Sequence, residues 1–117
     1  MMLGQFGTNG VAAVPVLLAA LNPTNNDIIH GHALIALGQI RCRPDLCVPA
    51  ITPFLRSPSV SSRQKAMHAL LAFGPDAKPA VNEIIVSLSD PDPWTRHMAE
   101  ITLKRVDPVA AHQAKVK

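Results

Sequence analysis

The sequence predicts an all-α fold, an α-solenoid of about three antiparallel helix pairs. Three observations predict it. Alanines stand at 33, 66 and 99 and leucines at 37, 70 and 103, a step of 33 residues. Around them apolar residues keep the i, i+3, i+4, i+7 spacing of one helix face. The 11 prolines and 6 glycines fall mostly between those faces, as stops and restarts for short helices.

The first helix of each pair, an A helix, has the stripe Val14, Leu17, Leu18, Leu21, repeated as Val48, Ile51, Thr52, Leu55 and as Val81, Ile84, Ile85, Leu88. The second, a B helix, has Ile29, Ala33, Ala36, Leu37, Ile40, then Ser62, Ala66, Ala69, Leu70, Phe73, then Thr95, Ala99, Thr102, Leu103, Val106. B helices recur every 33 residues, and A helices after 34 and then 33, so the odd residue falls in the connection "NPTNND". A loop absorbs an insertion, whereas inside a helix it would rotate the stripe by about 100°. The small residue at 33, 66 and 99 lets a B helix approach both its A helix and the next pair. We expect one domain over 1–117, with repeats at roughly 1–40, 41–74 and 75–107 and a polar C-terminal cap at 108–117.

Local signals agree. "SPS" (57–59) and "DPDP" (90–93) put Ser or Asp before Pro, an N-cap followed by a residue suited to the first turn. Gly74 follows Phe73 where a left-handed residue would end the helix. Pro15, Pro49 and Pro79 are expected near the starts of A helices, and Pro53, lying deeper, should kink the second one. "MLGQFG" (2–7) reads as the end of a B helix whose body is missing. The N-terminal face is therefore expected to pack on further repeats or on another chain.

Composition narrows the function classes. Hydrophobic residues make up 48% of the chain and aromatics 3%, so the apolar mass is mainly Leu, Ile, Val and Ala, suited to closely packed helices. A net charge of +3 falls short of a dedicated nucleic-acid binder. The apolar run "VAAVPVLLAAL" (11–21) is too short to cross a bilayer and lacks a basic leader, so it reads as a core helix. No targeting signal is visible, and a cytoplasmic location is the expectation. Cys42 and Cys47 read as two ordinary thiols in a reduced compartment; a small-loop disulfide or half a zinc site is the alternative.

"LGQFGTNGVAAVPVLLAAL" (3–21), "FGPDAKPAVNEIIVSLSD" (73–90) and "DPWTRHMAEITL" (92–103) closely resemble HEAT-like repeats, of the short type first noted in phycobilin lyases. The resemblance covers residues 3 to about 107. It departs from the pattern at His30, which stands where Arg63 and Arg96 stand, and at Arg41, which replaces the Gly after Ile40. In that family the equivalent arginine commonly pairs with acids in neighbouring turns. The resemblance thus implies a structural ladder for Arg63 and Arg96, with Asp90, Asp92 and acids of the adjacent repeat as partners. It also implies that the B layer lines the concave side.

No catalytic set, phosphate loop or metal cluster stands out, so no cofactor is expected. The histidines form no constellation and read as surface residues. What remains is a surface. Its outward B positions are Gly31, Ile35, Gly38, then Gln64, His68, Leu71, then His97, Ile101, Lys104, flanked by Arg63, Lys65, Arg96 and Arg105. The strip is apolar in the middle with a basic edge. Trp94, at the start of the last B helix, is either an interface anchor or a cover for the end of the stack. The leading expectation is a non-catalytic interaction scaffold that binds a protein or peptide along the B helices. An accessory subunit of an enzyme such as a bilin lyase, and weak nucleic-acid binding through the basic edge, are the alternatives.

Overall fold

A computed structural model describes residues 6–41 and 43–114. The elements are α1 (Phe6–Ala20), α2 (Asp27–Ile40), α3 (Pro44–Ile51), a 3₁₀ segment (Thr52–Arg56), α4 (Val60–Phe73), a second 3₁₀ segment (Gly74–Ala80), α5 (Val81–Ser87), α6 (Pro93–Val106) and α7 (Pro108–Gln113). Among the described residues all regular structure is helical.

The B helices α2, α4 and α6 begin alike. Asn26, Ser59 and Asp92, 33 residues apart, each accept a hydrogen bond from the N–H three residues on, at 2.9, 3.3 and 2.9 Å. Each cap satisfies a donor that the helix cannot, and replacing such a cap by Ala typically costs about 1 kcal/mol. In "SPS" the cap is therefore Ser59; Ser57 instead accepts from the Ser59 N–H at 3.1 Å. Asp107 caps α7 in the same way through the Ala110 N–H. At their ends α2 passes into left-handed Arg41 (φ 54°) and α4 into Gly74 (φ 62°). Gly74, at ψ −136°, lies in a positive-φ region open to glycine, whereas Arg41 is in the αL region, which is strained for arginine.

The A segments are less regular: their 3₁₀ turns hold prolines, while Pro15 and Pro49 lie inside α-helix. A ring without an N–H inside a helix removes one i→i−4 bond and crowds the preceding turn. The second A segment is α3 followed by the 3₁₀ turn that holds Pro53; the third is the 3₁₀ turn that holds Pro79 followed by α5. Pro15 differs from expectation. It lies inside α1, which starts at Phe6, so residues 6–10 belong to this helix and not to the end of an earlier B helix. Residues 1–5 lie outside the described residues.

Packing follows the stripes. Helix α1 lies on α2, α2 on α4, α4 on α6 and α6 on α7, while α3 packs on the Gly74–Ala80 segment. Val14, Leu37, Val48, Ile51, Leu70, Ile84, Leu103 and Val106 are almost fully buried in one shared core. Burying a side chain of this kind contributes about 1.5–3 kcal/mol. Ala33, Ala66 and Ala99 are buried at equivalent places, as the close approach of B helices requires. The molecule measures 45 × 28 × 19 Å, and its shortest dimension has room for two helix layers.

The N-terminal end differs from the later pairs. Ile29 is 41% exposed, although its equivalents Ser62 and Thr95 are each 1% exposed.

Candidate functional site

One exposed row of the B layer is Ile35, His68 and Ile101, one residue from each helix at the same register; Ile28, Ser61 and Trp94, in the first turns, are another. Beside Ile35 and His68 lies a groove of about 330 Å³ between α2 and α4, lined by Ile35, Gly38, Gln39, Arg41, His68, Ala69 and Ala72. Its floor is built by close approach. A Cβ on Gly38 would come within 2.9 Å of the Ala69 Cα, so only glycine lets the two backbones meet there. Gly31 and Gly38, expected to point outward, are both buried against α4. Two glycines seven residues apart on one helix face were the signal for this contact.

Arg63 and Arg96 are anchored identically and partnered differently. Arg63 Nη1 donates to the carbonyls of Ser57 at 2.8 Å and Pro58 at 3.4 Å. Arg96 Nη1 donates to those of Asp90 at 2.7 Å and Pro91 at 3.1 Å. The other edge of Arg63 takes Asp90 of the following pair, Nε at 2.9 Å and Nη2 at 3.3 Å. Both side chains of that ion pair are nearly buried, so the Arg63 guanidinium is occupied inside the molecule. The Arg96 hydrogen bond to Asp90 goes to its backbone carbonyl.

Gln64 donates to Asp92 Oδ2 at 2.9 Å, a second tie between α4 and the following pair. The Asp92 carboxyl also accepts from the Thr95 hydroxyl at 2.7 Å and the Thr95 N–H at 2.9 Å. The Thr95 hydroxyl, then Gln64 and the Thr95 N–H, hold it below the ordinary aspartate range. Lys65 lies across Gly31 and donates to the Ser61 hydroxyl at 2.6 Å. His68, His97, Lys104 and Arg105 are exposed, and Arg105 shares a small polar hollow with Arg41 and Asp76. Trp94 is 44% exposed.

His30, expected at the surface, is buried. Its Nε2 donates to the Asn22 carbonyl oxygen at 2.7 Å, and its ring meets Phe54 edge-on at a centroid distance of 5.0 Å. Its register with Arg63 and Arg96 already marked a position whose head turns into the pair connection. The exposed pair of Arg56 with Glu83, bidentate at 2.6 Å, is a further tie between the second and third pairs, with no sequence signal of its own.

Among the described residues no three His, Cys, Asp or Glu side chains gather where a metal ion could sit, and no helix is long and apolar enough to cross a membrane. Comparison with family models, curated proteins and solved structures gives no match to this chain.

Proposed function

We propose that the chain is a HEAT-like α-solenoid that acts as a non-catalytic scaffold and binds a protein or peptide segment along its B-helix surface. The observation that carries this reading is the in-register exposure of Ile35, His68 and Ile101, the first two of which line the α2–α4 groove. A groove floored by Gly38, Ala69 and Ala72 and walled by Ile35, Gln39, Arg41 and His68 takes an extended or helical segment. Its edge is basic, from Arg41 and Arg105, so a segment with acidic flanks fits it best. The surface is built on helices pinned by caps and by the Arg63–Asp90 pair, which limits the ordering cost of binding.

The test is selection of binders from a random peptide display, followed by mapping on the isotope-labelled protein by NMR. The reading requires shifts centred on Ile35, His68 and Ile101, and loss of binding in Ile35→Glu and Ile101→Glu. Selected peptides that map to the α3–α5 layer, or that survive both substitutions, refute it. A salt titration separates the reading from phosphate-driven nucleic-acid binding, which weakens steeply with salt.

A further inference from the structure

Arg96 is an arginine fork, fixed along one edge, to which no carboxylate among the described residues is bonded. Its Nη1 is fixed by the carbonyls of Asp90 and Pro91, as Arg63 Nη1 is fixed by Ser57 and Pro58. That anchoring sets the plane of the guanidinium. On Arg63 the remaining edge, Nε with Nη2, receives both oxygens of Asp90. On Arg96 the same edge has no hydrogen-bond partner among the described residues. The nearby acids are committed or turned away. Asp90 serves Arg63 and the Asp92 N–H, Asp92 serves Thr95 and Gln64, and Glu100, one turn along α6, is exposed and forms no ion pair among the described residues.

The α6 flank around this edge is dressed for a polar partner. Positions 31, 34 and 38 of α2 are Gly, Leu and Gly and are buried; the equivalents on α4 are Gln64, Met67 and Leu71, which are buried or partly buried. On α6 they are His97, Glu100 and Lys104, all exposed. An apolar helix would gain little here, whereas a charged loop gains a bidentate, charge-assisted contact with a second cation in Lys104.

We propose that Arg96 is the anchor of a second interaction surface, on the open flank of α6, for a partner polypeptide that presents an aspartate from a loop as Asp90 is presented to Arg63. The fork geometry is the one the protein already uses internally, so the occupant is defined by chemistry: a side-chain carboxylate on a Pro-flanked loop. This surface is separate from the α2–α4 groove, and either can fail without the other.

The experiment uses the full chain, labelled with nitrogen-15, and a capped synthetic peptide of sequence SLSDPDPW, which is residues 87–94 of the chain itself. The Arg96 Nε–H resonance should move saturably, while that of Arg63 stays in place. A peptide with both aspartates changed to asparagine should bind about tenfold more weakly, the loss expected of one charge-assisted pair. Arg96→Lys, which keeps the charge and loses the fork, should weaken the aspartate peptide by a similar factor. Thermal melting of that variant shows whether it is folded, and the asparagine peptide on the unaltered protein needs no variant. An unmoved Arg96 resonance, or equal binding of the two peptides, overturns the proposal. Shifts confined to the Ile35–His68 groove overturn it too, while leaving the scaffold reading intact.

Discussion

Arg63 in α4 holds both carboxylate oxygens of Asp90, 27 residues further on, at 2.9 and 3.3 Å, in a nearly buried pair. It joins one helix pair to the next. Removing one member of such a pair leaves the other charge desolvated and alone. Arg63→Ala should therefore cost about 3–5 kcal/mol in chemical denaturation. Arg63→Lys should recover only part of the loss, because a point charge does not reproduce the fork or the bonds to Ser57 and Pro58. A loss under about 1 kcal/mol, the range of exposed pairs, would show that this contact is solvated in solution.

The interface between the first and second pairs lacks this clamp, and both of its members differ together. His30 stands at the register of Arg63, and Ser57 at that of Asp90. Ser57 Oγ accepts from the Ser59 N–H as Asp90 Oδ1 accepts from the Asp92 N–H, at 3.1 and 2.8 Å, so the backbone is already right for an aspartate. His30→Arg and Ser57→Asp should each destabilise alone. Combined, they should show a favourable coupling of about 1–3 kcal/mol in a double-mutant cycle. Simple additivity would mean that the two connections differ in geometry.

Gly38 and Gly31 separate a backbone constraint from a side-chain one. An added methyl at 38 meets the Ala69 backbone, while at 31 it meets the end of the flexible Lys65 chain at 2.8 Å. Gly→Ala inside a helix gains about 1 kcal/mol of propensity, and overpacking costs about 1–3 kcal/mol. Gly38→Ala should lower the melting temperature, and Gly31→Ala should leave it unchanged or raise it. Equal effects at the two sites would contradict the close approach of α2 and α4.

Asp92 sets an acid limit on the α4–α6 interface. Its carboxyl is held below the ordinary aspartate range by Thr95 and Gln64. A depressed folded value contributes stability that is complete above the unfolded value of about 3.9 and is lost as pH falls through the folded one. Stability should therefore drop below about pH 4, and Asp92→Asn should reduce that drop while keeping a cap. Melting curves from pH 7 to pH 2 of both proteins check this; identical slopes would remove Asp92 from the interface.

The helical class and the B helices were legible because alternating burial and exposure write a 3.6-residue period into α2, α4 and α6. Of their caps Asp92 was legible; in "SPS" the Ser before Pro58 reads as the cap in place of Ser59, and Asn26 is not singled out, although Asn26, Ser59 and Asp92 keep the period of the stripes. The A segments were not. A proline predicts a disturbed helix, yet Pro53 and Pro79 do not say on which side of them the 3₁₀ turn forms, because that depends on what the freed carbonyls meet. The start of α1 carries no recognised cap signal, so its first residues were misread. In the candidate strip, Ile35, His68 and Ile101 were legible as outward positions. Gly31 and Gly38, which flank Ile35 on α2, read as outward, because a single residue without a side chain does not reveal whether it faces water or another backbone; only their seven-residue spacing on one face carried the signal.

The central claim is that equivalent helix pairs, each leaning on its neighbours, make an extendable stack. It is tested most directly by inserting a copy of residues 60–92 after Asp92 and measuring denaturant unfolding. Nearest-neighbour stacking predicts a folded, more helical protein with a larger denaturant dependence and stability at least equal to the parent's, since the α4–α6 contact is reproduced. Loss of cooperative unfolding in the lengthened chain would contradict it, because a closed bundle has no place for another pair.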